Sequence, residues 1–98
     1  MRLTAEEIAG IRAATAEVFG PQAVVRLFGS RVDDRKKGGD IDLLVEVPEG
    51  RETFKDECAL LFALMERLGE RKIDVLLVEP NRPRAAIERI AYRDGVVL

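Results

Sequence analysis

From Asp40 to Val47 the sequence alternates without a break: Ile41, Leu43, Val45 and Val47 fall on one face, the opposite face opens with two carboxylates, and Pro48 closes the run. Strict period two is the pattern of a half-buried strand, because successive side chains point to opposite sides of a sheet and proline cannot donate to the ladder. A strand of this kind must be covered on its apolar side, so the rest of the chain has to supply a second layer. With 98 residues there is material for one core, and residues 1–98 are expected to form a single domain.

The flanking segments supply that layer. Thr4 followed by Glu7 is a capping-box signature, and Ile8, Ile11, Ala14, Val18 and Phe19 then recur at helical spacing until Gly20 and Pro21. Ala23 to Phe28 is short and β-branched, ends at Gly29 and Ser30, and reads as a first strand, with a short helical turn expected just after Ser30 and a polar loop over residues 31–39. From Thr53 to Leu68 the apolar positions Phe54, Cys58, Leu61, Met65 and Leu68 step by four and three, widened by Leu60, Phe62 and Leu64, and predict an amphipathic helix stopped by Gly69. Lys72 to Val78 is a further strand, with Ile73, Val75 and Leu77 on one face and Asp74, Leu76 and Val78 on the other. Asn81 is expected to cap a last helix with Pro83 in its first turn and Ile87, Ile90 and Ala91 facing inward, before an edge strand over Val96 to Leu98. The order predicts a two-layer α/β (α+β) domain, a small mixed sheet with helices packed on one face.

Composition narrows the chemistry. Sixteen Lys and Arg against eighteen Asp and Glu give a net charge of -2, the wrong overall field for direct nucleic-acid binding or an anionic membrane. There is no histidine, so no histidine base and no His-ligated zinc, and the single Cys58 has no internal partner. The start, MRLTAEE, lacks a signal-like apolar stretch, and the longest apolar run, Cys58 to Met65, is far short of a membrane span; a cytoplasmic protein is expected.

What remains is a set of carboxylates on one sheet face. Asp40 and Asp42 share a side of their strand, with α-carbons roughly 7 Å apart at about 3.4 Å rise per residue. The bland reading of an isolated Asp-x-Asp is a solvated outer face, but Asp74 repeats the arrangement on another strand, where an Asp between Ile and Val has poor strand propensity. Like charges gathered on one face repel, and a divalent cation is the natural compensation. Donors that are all hard oxygens suit Mg²⁺ or Mn²⁺. Gly29 permits close backbone approach, and amides at a short helix start can cradle phosphate oxygens; Arg31, Arg35, Lys36 and Lys37 on the following loop add local positive charge.

Leu27-Phe28-Gly29-Ser30, then Gly39-Asp40-Ile41-Asp42-Leu43, then Asp74 on a later strand, resemble the signature of the polymerase-beta-like nucleotidyltransferase superfamily, and within it the minimal nucleotidyltransferases. The resemblance spans nearly the whole chain. It implies that Gly29 and Ser30, with Arg31 beside them, hold a nucleoside triphosphate such as ATP, and that Asp40, Asp42 and Asp74 form the catalytic metal site. Two metals there would bridge the attacking and leaving oxygens of an in-line displacement at the α-phosphorus, with pyrophosphate leaving. Asp74 would orient the acceptor hydroxyl or take its proton. One departure is visible: many minimal members carry a glycine shortly after Gly-Ser-Arg, where this chain has Asp33 and Asp34 and closes its loop with Gly38 and Gly39.

Few residues follow the three-strand core, too few for a helical acceptor domain, so the acceptor surface is expected on another chain. In the resembled family that partner is typically a separately encoded helical protein of the HEPN type, often an RNase toxin, and some pairs transfer AMP to a tyrosine of the toxin, which makes the smaller protein an antitoxin. Two other readings stay open beside an active protein-modifying transferase. One is a non-catalytic antitoxin or nucleotide-binding assembly subunit, against which the intact carboxylates argue. The other is a transferase for a small molecule such as an aminoglycoside, for which the chain lacks an aromatic platform.

Overall fold

The computed structural model describes residues 3–32 and 40–98. Helix α1 (Ala5–Phe19) leads into β1 (Val24–Phe28) and a 3₁₀ turn (Gly29–Val32); β2 (Ile41–Glu46), α2 (Phe54–Leu68), β3 (Ile73–Val78), α3 (Ala86–Asp94) and β4 (Val96–Val97) follow. The strands form one mixed sheet in the order β3-β2-β1-β4, with β2 and β3 parallel and the β1 pairings antiparallel. The parallel pair is possible because α2 crosses over between its strands. No helix among the described residues is long and apolar enough to cross a membrane.

Local chemistry explains the helix starts. The Thr4 hydroxyl accepts from Glu7 N at 3.0 Å while Glu7 Oε1 accepts from Thr4 N at 2.8 Å, satisfying amides that the first turn leaves without partners. Thr53 caps α2 in the same way, accepting from Asp56 N at 3.0 Å. Gly20 and Gly69 end the two helices at positive φ, where a side chain would be strained.

Alternation along β2 then divides the interior. Leu43 and Val45 join Ile11, Phe19, Leu27, Leu60 and Leu64 in the main core between the sheet and helices α1 and α2. Leu44 points the other way and packs with Phe28, Val78 and Ala91, so the short α3 lies on the opposite face. The two long helices therefore form the expected second layer, and α3 covers part of the remaining face.

Two expectations about helix orientation are corrected. On α2 the buried positions are Leu60, Ala63 and Leu64, whereas Phe54 is 79% exposed, Phe62 66% and Met65 45%, with Cys58 exposed beside them. The four-three stripe from Phe54 is therefore mostly an outer seam. Apolar residues occupy more than half the circumference of this helix, so their spacing alone did not fix which side turns inward.

On α3 the cap is not Asn81, which sits at φ 63, and the helix starts only at Ala86. Ile87 and Ile90 are 49% and 45% exposed, and Glu88 with Ala91 is buried instead. An ion pair accounts for this: Arg82 Nη2 and Nη1 donate to the two Glu88 oxygens at 2.7 and 2.8 Å, and Glu88 Oε1 also accepts from Ala85 N at 2.8 Å. Drawing Glu88 inward turns the isoleucines out. Gly95 then returns the chain to β4 where a Cβ would collide with the Ala91 carbonyl oxygen and crowd that of Leu27.

Candidate active site

The parallel register of β2 and β3 sets Asp42 directly beside Asp74, and the antiparallel register of β1 sets Phe28 on the other side of Asp42. Gly29, the residue after Phe28, thereby arrives against the Asp42 carboxylate. Its φ is +79°, and a Cβ there would fall on Asp42 Oδ2. No side chain other than hydrogen fits without displacing the carboxylate. The turn that begins at Gly29 carries Ser30 and Arg31, the latter partly buried.

Electrostatics mark Asp42 out. Partial burial pushes its carboxyl above the usual range, and the negative charges of Asp74 and then Asp40 push further in the same direction. The positive charge of Lys72 works the other way. Lys72 Nζ lies 3.5 Å from Asp40 Oδ2, an exposed pair at the mouth of the strands. Among the described residues no three acidic, Cys or His side chains are already gathered as a metal-ligand set. Asp42 and Asp74 meet, while Asp40 is half exposed and engaged by Lys72.

Of the residues singled out in the sequence, Gly29, Asp42 and Asp74 thus come together at one end of the sheet, with the backbone of Ser30 and Arg31 alongside and Asp40 close by in the chain but engaged by Lys72. Arg35, Lys36, Lys37, Asp33, Asp34, Gly38 and Gly39 lie outside the described residues. Two features were not anticipated. Lys72 immediately precedes β3, and its place beside Asp40 follows from the parallel register. Farther along the Asp42 face, the Tyr92 hydroxyl donates to Glu46 Oε1 at 2.9 Å, and the guanidinium groups of Arg26 and Arg84 each lie 4.8 Å from the Tyr92 ring centroid. Glu46 was legible, since period two places it on the face of Asp42; the Arg-Tyr-Arg stack was not, because it joins three elements.

Among the described residues, one cavity of about 500 Å³ lies between α1 and the β1–β4 edge and another of about 310 Å³ lies beside Tyr92. Asp74 is exposed and Asp42 only partly covered by the described residues.

A family model described as a nucleotidyltransferase domain matches residues 8–96. The chain belongs to that family, and nucleotidyl transfer in general is the activity the family supports. No curated protein matches the sequence.

Proposed function

We propose that this protein transfers a nucleoside monophosphate, AMP from ATP being the first case to test, to a hydroxyl group on a partner protein, with Mg²⁺ or Mn²⁺ as cofactor. The observation that carries the reading is the pairing of Asp42 with Asp74 across β2 and β3, with Gly29 cleared of any side chain against Asp42. The donors Asp40, Asp42 and Asp74 fit a hard divalent cation by their chemistry, and a bound cation would relieve the upward push on the Asp42 carboxyl that comes first from burial and then from the charges of Asp74 and Asp40. A bound cation would neutralise that cluster and act as Lewis acid toward the triphosphate.

The chain's own residues do the rest. Gly29 lets the triphosphate approach the backbone, and the amides of the turn it starts, with the hydroxyl of Ser30 and the charge of Arg31, hold phosphate oxygens. Asp74, exposed at the rim, orients the acceptor hydroxyl or takes its proton. The exposure of Asp74 supports an acceptor brought by another macromolecule, and the outward Ile87 and Ile90 of α3 offer apolar surface for a protein. A helical HEPN-type RNase toxin is the proposed partner, with this chain as its cytoplasmic antitoxin and the charges of Arg35, Lys36 and Lys37 steering it.

One observation favours a second reading, a nucleotide-binding assembly subunit without catalysis: Asp40 is held by Lys72 and not gathered with the other two carboxylates. Affinity capture of the tagged protein from its own cells, followed by incubation with ATP and Mg²⁺, separates the two. Mass spectrometry should find a captured partner heavier by one nucleoside monophosphate. A captured partner that stays unmodified, with nucleotide bound, supports the second reading and contradicts the first.

A further inference from the structure

The outer face of α2 carries apolar side chains that nothing in the described fold covers. At 100° per residue, Phe54, Cys58, Phe62 and Met65 fall within one quadrant of the helix, and all four are exposed. Two charged residues, Lys55 and Glu66, lie along one flank of this stripe at opposite ends, and neither forms an ion pair with a described residue.

We propose that this face is the interface of a homodimer in which two α2 helices pack antiparallel about a two-fold axis that passes between them at the level of Leu60. The spacing argues for a second copy. Residues that meet across such an axis have numbers with a nearly constant sum, and the stripe satisfies this throughout: Phe54 meets Met65, Cys58 meets Phe62, and Lys55 meets Glu66, each pair occurring twice. The aromatic–thioether contacts are favourable, and in the antiparallel pair Lys55 of one copy and Glu66 of the other fall on the same flank as complementary charges, whereas a parallel pair would put the two charged flanks on opposite sides of the seam.

A 15-residue helix is about 22 Å long, so this contact is smaller than the roughly 800 Å² per partner of a standard stable interface. The dimer is accordingly a weak one that exchanges with monomer. The inference is independent of the proposed catalytic reading, because it uses no residue of the carboxylate site.

Sedimentation equilibrium of the full chain across micromolar to millimolar concentrations tests it. Wild type should show a reversible monomer–dimer equilibrium, and Phe62→Glu should be monomeric throughout. Lys55→Glu should weaken dimerisation by at least about tenfold, and Lys55→Glu combined with Glu66→Lys should restore it. Circular dichroism shows whether each variant is folded; these positions are exposed, so it should match wild type. A wild-type monomer at every concentration overturns the proposal, and so does a dimer indifferent to the charge reversal.

Discussion

Asp42 and Asp74 occupy the same rung of the parallel β2–β3 ladder, so the two carboxyls stand side by side at one end of the sheet. Adjacent strands are about 4.8 Å apart, and at that spacing two like charges oppose each other. A fold that keeps such a rung retains a local conflict that a cation and an anionic ligand would resolve together. This relationship links the sequence pattern to the activity class of the family.

Removing one of the two charges should stabilise the ligand-free protein. Asp42→Asn relieves the repulsion that Asp74 and Asp40 exert on a partly buried carboxyl, and a gain of up to about 1 kcal/mol is expected. In a domain of this size that corresponds to a rise in Tm of roughly 4–8 °C. Mg²⁺ with ATP should raise the Tm of wild type but not of the variant. Thermal melts with and without ligand measure both effects.

Gly29 and Ser30 should respond unequally. Gly29→Val combines an unfavourable positive φ with a collision against Asp42 Oδ2, and it should abolish nucleotide binding. Ser30→Ala removes one hydrogen-bonding group and should weaken binding by about 1 kcal/mol, some fivefold. Titration of nucleotide affinity gives the ranking; small, equal effects would mean that the pair serves only as a turn after β1.

Acid should loosen α3. The hydrogen bonds from Arg82, opposed by partial burial and helped by the Ala85 amide, hold the Glu88 carboxyl below its ordinary value of 4.5. A lowered folded value stabilises the native state fully above that ordinary pKa, and the contribution disappears as pH falls through the folded one. Glu88→Gln should therefore lower Tm at pH 7, by an amount worth about 1–3 kcal/mol, and the deficit should shrink below about pH 4. A pH series of melts on both proteins checks the sign.

Elements with one clear periodicity were legible from the sequence. The capped start of α1, the alternation of β2 and β3 and the gathering of Gly29, Asp42 and Asp74 all follow from local patterns. Which side of a helix turns inward was legible only where polar residues marked the other side. On α2 the apolar residues wrap too far round to decide it, and on α3 a tertiary ion pair between Arg82 and Glu88 overrides the placement of Ile87 and Ile90. The Lys72–Asp40 contact was hidden for a related reason: it depends on strand register.

The most direct test of the central claim is binding of ATP to the purified chain by calorimetry, with and without Mg²⁺, in wild type, Asp42→Asn and Asp74→Asn. The predicted result is affinity that depends on the divalent cation in wild type and falls at least tenfold in each folded variant. Binding that is absent from wild type in the presence of Mg²⁺, or that is the same without the cation and in both variants, would contradict the assignment of the Asp42–Asp74 rung as the nucleotide and metal site.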